Sequence, residues 1–276
     1  MADWTNKVAV ICGGSSGLGL NLARALVGQS CGVLVLIGRD GAKLAAAGDE
    51  LSELLSERSS NTRIETISAD LTDKVQSLNC AEQLSEITPK VDLLIQAIGV
   101  SDRGMIEDLT KERLYELFDT NVVTSLHALQ VFSPRLAATG GVAVLIGSLA
   151  SLFAPRFLGG YSIAKHALAA LAQQARLELV EKNIQVMLCC PGPIRRNDAG
   201  QRYREQASAS VPAEALKPAG GAKISQLDPD ELSQKILAYA AARRPMLILP
   251  VKGRLLRLLT AISQRLGDLL LRRRSA

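Results

Sequence analysis

Histidine and cysteine, the residues that most often build metal sites, are scarce in this sequence. Its 276 residues include two histidines, His127 and His166, and five cysteines whose spacing matches neither a metal site nor a redox pair. We therefore expect no bound metal ion. Cysteines without such a pattern indicate a reducing compartment, and we expect the cytoplasm.

Long apolar stretches are also missing. No run approaches the roughly 18 consecutive apolar residues that a membrane-spanning helix needs. The short apolar run from Val8 to Cys12 follows Asp3 and Lys7, which predicts a first strand rather than a signal peptide. With 47% apolar and 21% charged residues, the composition predicts one large soluble α/β domain.

Positive charge is concentrated near the C-terminus. Residues 252–276 contain seven basic residues and one acid, Asp268, a net charge of +6, so residues 1–251 carry −1 of the total of +5. This distribution argues against a general nucleic-acid-binding surface, and we expect no nucleic acid partner. We expect residues 1–251 to form the main domain and residues 252–276 to form one basic amphipathic helix.

The spacing of leucines in this C-terminal segment predicts its amphipathic character. One helical face carries Leu255, Leu258, Leu259, Ile262, Leu266, Leu269 and Leu270, and the other carries Arg254, Arg257, Arg265, Asp268 and Arg272. Three interpretations stay open. The helix packs on its own domain, packs on a partner subunit, or makes a peripheral contact through residues 253–274 with an anionic membrane at its inner or cytoplasmic face.

A glycine-rich turn follows the first predicted strand and precedes a helical pattern. Gly13, Gly17 and Gly19 have the spacing Gly-x-x-x-Gly-x-Gly. Glycines at these points let the backbone turn tightly and approach a pyrophosphate, which the N-terminus of the following helix attracts. Strand, turn and helix in this order indicate a dinucleotide-binding unit.

The second predicted strand, residues 32–37, bears on the choice of dinucleotide. Enzymes that prefer NAD commonly place an acid at this strand end to bind the ribose 2′-hydroxyl. Here Gly38 takes that place and Arg39 follows, a bidentate donor suited to a 2′-phosphate. Ser15 and Ser16 can add hydroxyl donors. We expect NADP(H) to be preferred, with NAD(H) as the alternative.

A serine, a tyrosine and a lysine follow the apolar run from Val142 to Ile146, which predicts a buried strand. Ser148 lies just beyond this strand, where open α/β sheets place their ligands. Tyr161 and Lys165 are four residues apart on a predicted helix, so the ammonium group can lower the phenol pKa from its usual value of about 10. The three residues indicate carbonyl/alcohol redox chemistry.

Ser148, Tyr161 thirteen positions later, and Lys165 together resemble the catalytic signature of the short-chain dehydrogenase/reductase family. The glycine turn, opened by Cys12 where the family usually has Thr, and the Pro191-Gly192 pair extend this resemblance over roughly residues 5–195. The resemblance implies a single Rossmann-type, doubly wound parallel sheet of about seven strands flanked by helices. It also implies hydride transfer between a nicotinamide cofactor and a carbonyl, and a homodimer or homotetramer.

The resemblance assigns further site residues by their positions. Asn121 corresponds to a fourth catalytic residue, which kinks its helix and holds a water bonded to Lys165. The cofactor-binding set is Gly13, Ser15, Ser16, Gly17, Leu18, Gly19, Arg39, Asp70, Leu71, Gln96, Ala97, Ile98, Tyr161, Lys165, Pro191, Gly192 and Ile194. The adenine role of Asp70 has a structural alternative, because Asp70 and Thr72 precede a helix and can cap it.

Two departures from the family pattern concern the cofactor. Gln96-Ala97-Ile98-Gly99 replaces the usual Asn-Asn-Ala-Gly, and Arg196 stands where a Thr is common. The first change alters residues that in the family contact the ribose and the nicotinamide, and it leaves the implied fold unchanged. The second either shifts a cofactor contact or creates an anion contact.

The substrate is less clearly indicated than the reaction. Apolar residues near Ser148 are typical either of a core or of a pocket for a lipophilic carbonyl or alcohol, such as a steroid, retinoid or long-chain keto-lipid: Leu149, Leu152, Phe153, Phe157 and Leu158. Residues 195–227 are polar and form either a substrate lid or an insertion. Two other functions stay open: a non-catalytic nucleotide-sensing or membrane-associated interaction protein, and an epimerase or dehydratase of nucleotide-linked sugars.

Overall fold

A computed structural model of the chain describes residues 3–58, 60–196 and 224–274, together with residues 212 and 216, and of residues 272–274 the backbone alone. The strands are β1 (Val8–Cys12), β2 (Val33–Gly38), β3 (Arg63–Ser68), β4 (Leu93–Gln96), β5 (Val142–Ile146), β6 (Gln185–Pro191) and β7 (Met246–Leu249). They form one parallel sheet in the order β3-β2-β1-β4-β5-β6-β7. The doubly wound, seven-stranded sheet predicted from the sequence is confirmed.

Helices cover both faces of this sheet, which is why its central strands are largely apolar, whereas the edge strand β3 keeps polar residues. All five residues of β1 and the last five of β2 are buried. Because successive side chains of a strand point to opposite faces, Val10 and Val35 belong to one apolar cluster, and Ile11 and Leu36 belong to the other. The five cysteines are buried as well.

The helices described are α1 (Gly17–Val27), α2 (Gly41–Arg58), α3 (Lys74–Ile87), α4 (Lys111–Phe118), α5 (Thr124–Ala137), α6 (Tyr161–Leu179), α7 (Pro229–Ala241), α8 (Lys252–Ile262) and α9 (Gln264–Arg274). Helix α3 is capped by Asp73, whose carboxylate accepts the backbone N–H groups of Val75 and Gln76 at 2.7 and 3.1 Å. The interpretation of Asp70 or Thr72 as this cap is therefore wrong. Asp228 caps α7 in the same way.

Helices α4 and α5 are separated by a π-helical turn, Asp119–Val123. Asn121 lies in this turn and is fully buried. The sequence pattern predicts one helix through this region with a kink at Asn121. The structure has a π-helical turn at that residue, a feature often found at functional sites.

The C-terminal segment contains two helices instead of the single helix predicted. The backbone of Ser263 is extended, with φ of −148°, and its hydroxyl oxygen accepts the N–H of Leu266, as an N-cap does. A Cβ on Gly267 would lie 2.7 Å from Cγ2 of Thr260, so α9 packs closely against α8. We call the pair α8 and α9 the C-terminal hairpin. Among the described residues, no helix has both the length and the apolarity to cross a membrane.

The predicted substrate lid, residues 195–227, lies mostly outside the described residues. Residues 195, 196 and 224–227 are described, and so are the isolated positions 212 and 216. Leu227 forms an isolated parallel bridge with Ile194, and its backbone N–H donates to the carbonyl of Pro193 at 2.7 Å. This contact holds the end of the segment next to β6.

Candidate active site

A cleft of about 990 Å³ lies at the carboxyl ends of the strands. The strand order reverses between β1 and β4, and open α/β sheets bind their ligands at such a switch point. The predicted site residues that line it are Gly13, Ser15, Ser16, Gly17, Leu18, Gly19, Arg39, Asp70, Leu71, Ala97, Ile98, Ser148, Tyr161, Lys165, Pro191, Gly192 and Ile194.

Two predicted site residues do not line the cleft. Gln96, the last residue of β4, is 1% exposed, and its amide oxygen and nitrogen make no hydrogen bond among the described residues. Asn121 is buried beside the cleft wall, in contact with Gly99 and Val100. Of this stretch, Ala97 and Ile98 face the cleft, and Asn121 lies behind the lining residues.

The glycine turn after β1 depends on the absence of side chains. Gly13 and Gly17 have φ of +82° and +55°, in the region that favours glycine. A Cβ on Gly19 would lie 2.0 Å from the carbonyl oxygen of Gly13, so α1 can start this close to the turn only with glycine. The first turn of α1 carries no acid, and its N-terminus offers an anion-binding site to the cleft.

Arg196 adds a cation at the same place. Its Nη2 lies 3.4 Å from the position that a Cβ on Gly17 would occupy, and Arg196 itself lines the cleft. Of the two outcomes left open by the sequence, this position favours an anion contact at the start of α1.

The end of β2 carries two cations. Arg39 lines the cleft at this strand end, and Lys43 in the first turn of α2 lines it as well. Ser15 lies close by, since its hydroxyl oxygen is 3.5 Å from where a Cβ on Gly38 would be. The neighbouring acid, Asp40, is engaged by Lys43: its carboxylate accepts the backbone N–H at 3.0 Å and pairs with Nζ at 3.3 Å.

The carboxylate of Asp70 is held by a local turn. Its Oδ1 accepts the backbone N–H and the hydroxyl of Thr72 at 2.9 and 2.8 Å. The backbone N–H of Asp70 donates to the amide oxygen of Gln76 at 3.0 Å. These bonds fix Asp70 at the edge of the cleft, and Leu71 beside it lines the same wall.

Lys165 is a buried cation that connects α6 to β5. Its Nζ donates to the carbonyl of Ile146 at 3.1 Å and lies 5.7 Å from the centre of the Tyr161 ring. Burial lowers the pKa of Lys165 to about 8, because the charged form loses its hydration, while Cys190 has a smaller, opposite influence. The ammonium group is thus held next to the phenol and near its own titration point at physiological pH.

Ser148 follows β5 and has a fixed orientation. Its hydroxyl oxygen accepts the N–H of Ala150 at 3.1 Å, and its backbone N–H donates to the hydroxyl of Ser151 at 3.1 Å. Because the oxygen is an acceptor in the first of these bonds, the hydroxyl hydrogen of Ser148 can be donated to a group in the cleft.

Asp102 holds the turn that leads into α6. Its Oδ2 accepts the backbone N–H of Gly160 at 3.1 Å, and its Oδ1 accepts two N–H groups of Arg113 at 3.2 and 3.0 Å. Asp102 is 4% exposed. Since Tyr161 is the first residue of α6, the buried carboxylate of Asp102 and its partner Arg113 fix the backbone from which the phenol extends.

Asn121 and Lys165 converge beside Gly99. The amide nitrogen of Asn121 donates to the carbonyls of Leu117 and Val100 at 2.9 and 3.1 Å, so the orientation of its amide is set. Its buried Oδ1 makes no hydrogen bond among the described residues. A Cβ on Gly99 would lie 2.8 Å from this Oδ1 and 3.2 Å from Nζ of Lys165. Oδ1 of Asn121 and Nζ of Lys165 therefore lie close together on the same side of Gly99.

The cleft beyond Ser148 is mainly apolar. Its lining there includes Leu149, Phe153, Pro155, Leu158, Val251, Leu256 and Leu271. Of the five apolar residues that the sequence proposes for a pocket, Leu149, Phe153 and Leu158 line the cleft, whereas Leu152 and Phe157 are not among its lining residues. Val251, Leu256 and Leu271 come from the C-terminal hairpin and the residue before it, so the hairpin forms part of this wall.

Sequence reasoning missed several residues of the site. Lys43 could have been predicted from the sequence, because it lies in the first turn of the helix that follows β2, close to Arg39. Asp102 and Arg113 had no such signal, since the bond from Gly160 to Asp102, which Arg113 supports, joins distant parts of the chain. Arg103, a buried lining residue whose guanidinium donates to the carbonyl of Asp102 at 2.7 Å, was also missed. Within the described residues, no three His, Cys, Asp or Glu side chains gather as a metal site.

Comparison with known proteins agrees with this geometry. The family model for short chain dehydrogenases matches residues 7–208. The uncharacterized oxidoreductase YusZ of Bacillus subtilis is 28% identical over 187 residues, which cover 67% of this chain and 64% of that protein. The chain thus matches less than two thirds of that relative's length.

Solved structures share the fold at low identity. A short chain dehydrogenase/reductase from Burkholderia phymatum in complex with NAD has a TM-score of 0.78 and 22% identity, and 96% of each chain is covered. L-sorbose reductase from Gluconobacter frateurii, in complex with NADPH and L-sorbose, has a TM-score of 0.76 and 21% identity, covering 90% of this chain and 96% of that one. Chains with this fold therefore bind either nicotinamide cofactor.

Proposed function

The chain belongs to the short-chain dehydrogenase/reductase family, and on that basis we propose that it is an NADP(H)-dependent oxidoreductase that interconverts a carbonyl and a secondary alcohol on a lipophilic substrate. The observation that carries the proposal is the position of Lys165. Its ammonium group lies 5.7 Å from the Tyr161 ring and is bonded to the strand end that precedes Ser148. A protein that only bound the nucleotide would have no use for a buried cation beside a phenol.

A nicotinamide cofactor fits the residues present. The N-terminus of α1, Arg196 and the glycine turn could hold the pyrophosphate, and Asp70 and Leu71 in the cleft wall would contact the adenine. A bound cofactor supplies or accepts the hydride at the carbonyl carbon of the substrate. The protein then has to orient both molecules and to move one proton.

The proton is assigned to Tyr161. In the reductive direction, its hydroxyl donates a proton to the developing alkoxide oxygen, and the Ser148 hydroxyl donates a hydrogen bond to the same oxygen. The Lys165 ammonium favours the phenolate that remains on Tyr161. Asn121 Oδ1 and Lys165 Nζ can share a water beside Gly99, through which the proton is replaced.

The preference for NADP(H) is supported by the charges at the end of β2. Arg39 and Lys43 line the cleft there, and the acid between them in the chain, Asp40, is already engaged by Lys43. Two cations and the Ser15 hydroxyl suit the 2′-phosphate. A diol at the same place would offer the Arg39 guanidinium no anionic partner.

A lipophilic substrate is supported by the apolar cleft wall beyond Ser148. Leu149, Phe153 and Leu158 are joined there by Leu256 and Leu271 from the C-terminal hairpin. An apolar ligand of steroid, retinoid or long-chain type would remove this surface from water, which favours binding in proportion to the area covered.

Oligomerisation is supported by apolar residues exposed on α4, α5 and α6. Tyr115, Leu126 and Leu177 are 57%, 37% and 67% exposed. We propose a homodimer or homotetramer that buries these helices. Size-exclusion chromatography with light scattering measures this directly, and a monomer at micromolar concentration would contradict it.

The experiment that tests the proposed reaction is NADPH oxidation by the purified protein with carbonyl compounds of graded chain length and ring size. Tyr161→Phe is the control, because it removes the proton and keeps the ring. We expect turnover to rise with apolar size and to vanish in Tyr161→Phe, while NADPH fluorescence shows that the variant still binds the cofactor. Turnover that persists in Tyr161→Phe would overturn the assignment.

A further inference from the structure

The C-terminal hairpin leaves an apolar stripe in contact with solvent. Leu255, Leu258 and Ile262 are 61%, 57% and 73% exposed, at the spacing that places them on one side of α8. Leu266 and Leu269 of α9 are also exposed. The three α8 side chains form the stripe, and the two α9 leucines add exposed apolar surface beyond the break at Ser263.

The hairpin does not need this stripe to pack on its own domain. Helix α8 contacts the body of the protein through a different side, where Gly253 and Leu256 are buried. A Cβ on Gly253 would lie 3.0 Å from Cδ2 of Leu149 and 3.1 Å from Cγ2 of Ile248. The side that packs and the side that is apolar and exposed are therefore distinct.

The charge around the stripe identifies its partner. Residues 252–276 carry a net charge of +6, and residues 1–251 carry −1. Arg254, Arg257 and Arg265 are exposed on the hairpin itself. An isologous contact with a second copy of the chain would bring two such segments together, and their positive charges would repel. An anionic bilayer surface complements both the charge and the apolar stripe.

We propose that the C-terminal hairpin docks on anionic lipid bilayers, with Leu255, Leu258, Ile262, Leu266 and Leu269 inserted at the interface and the arginines against the headgroups. The hairpin also supplies Leu256 and Leu271 to the cleft wall. Docking would hold this cleft wall near the membrane, with the hairpin between them. A link to substrate supply rests on the proposed lipophilic substrate, whereas docking itself does not.

The test is cosedimentation of the full-length protein with phosphatidylcholine vesicles that either contain or lack phosphatidylglycerol. We expect binding to the anionic vesicles alone, and release when salt is raised, because screening weakens the headgroup contacts. Leu258→Glu/Ile262→Glu should lower the apparent partition coefficient at least about tenfold. The matched control, Val75→Glu/Leu78→Glu, changes two aliphatic residues of α3 that are 64% and 48% exposed, and should bind like wild type.

Two results would overturn docking: wild-type protein that stays in the supernatant with anionic vesicles, or equal binding by both double variants. Sedimentation velocity without lipid tests the alternative that a second copy of the chain covers the apolar stripe. If Leu258→Glu/Ile262→Glu dissociates an oligomer that Val75→Glu/Leu78→Glu leaves intact, a second copy covers the stripe and the proposal is wrong. These measurements involve no turnover, so their failure leaves the proposed reaction untouched.

Discussion

Oδ2 of Asp102 accepts a hydrogen bond from the backbone N–H of Gly160, 58 residues further along the chain and one residue before Tyr161. A Cβ on Gly159 would lie 2.2 Å from the same oxygen, so carboxylate and turn are in close contact. Arg113 fixes the other carboxylate oxygen. Asp102 is therefore a positioning residue for the proposed general acid.

We expect Asp102→Asn to lower kcat by about 10- to 100-fold, because a small displacement of a reacting group has effects of this size. The KM for NADPH should change little, and the pH profile of kcat should shift as the phenol moves relative to Lys165. Steady-state kinetics at several pH values measures both. The control is Glu116→Gln, since Glu116 also pairs with Arg113 but is exposed. A variant that loses only thermal stability, with an unchanged kcat and pH profile, would reduce Asp102 to a structural role.

Gly99→Ala places a methyl group at the point where Asn121 and Lys165 converge, 2.8 Å from Oδ1 and 3.2 Å from Nζ. We expect kcat to fall at least about tenfold, because the methyl group excludes a water that relays the proton. Stopped-flow fluorescence of NADPH binding and steady-state turnover separate cofactor binding from catalysis. Gly48→Ala is the matched change, since a Cβ there meets nothing closer than 3.8 Å. Full turnover in Gly99→Ala would show that no water is needed at this point.

Lys165→Met should abolish turnover without destabilising the protein at neutral pH. Burial lowers the Lys165 pKa from its ordinary value of 10.5 to about 8. Between these values the unfolded chain holds a proton that the folded protein has released, so this residue makes stability rise with pH across that window, by about 3 kcal/mol in all. Below pH 8 the folded protein has to keep the charge buried.

Urea unfolding of both proteins from pH 7 to pH 10.5 tests this linkage. Buried cysteines act in the opposite direction, since burial raises the pKa of Cys80 and Cys190 to about 12. The informative quantity is therefore the difference between wild type and variant, which should favour Lys165→Met at pH 7 and shrink as pH rises. A difference that is constant with pH would mean that Lys165 titrates normally in the folded protein.

Arg39→Ala should raise the KM for NADPH by about 10- to 100-fold, the effect of losing charge-assisted hydrogen bonds to a phosphate, and should leave the KM for NADH nearly unchanged. Lys43→Ala should act in the same direction and more weakly, since a single ammonium lacks the bidentate geometry of Arg39. Lys235→Ala removes an exposed cation on α7 and controls for net charge. Equal losses with both cofactors would exclude a 2′-phosphate contact.

The fold and the reacting groups can be predicted from the sequence, because each is indicated by residues only a few positions apart. The apolar runs of the strands, the glycine turn and the four-residue interval from Tyr161 to Lys165 all lie within one element or one connection. The break at Ser263 is also local, but it competes with a continuous leucine pattern that predicts a single helix. The Ser263 hydroxyl caps a new helix, and the first helix ends there although the leucine spacing continues.

What surrounds the reacting groups does not follow from local sequence. Gly99 contacts Asn121 and Lys165, and Asp102 contacts Gly160, across distances along the chain that carry no periodic signal. Only the parallel sheet, by bringing its strand ends to one edge, puts these loops together. Positioning residues are therefore harder to infer than the residues they position.

The burial of every cysteine makes the folded protein nearly inert toward alkylating reagents. The thiolate is the reactive form, and burial raises the pKa of Cys31 to about 11 as well. Alkylation then requires a local opening, and Cys12, Cys80 and Cys190 sit in β1, α3 and β6. The labelling rate of each cysteine therefore reports how often its own strand or helix opens. The native cysteines can serve as probes of local opening around the cleft.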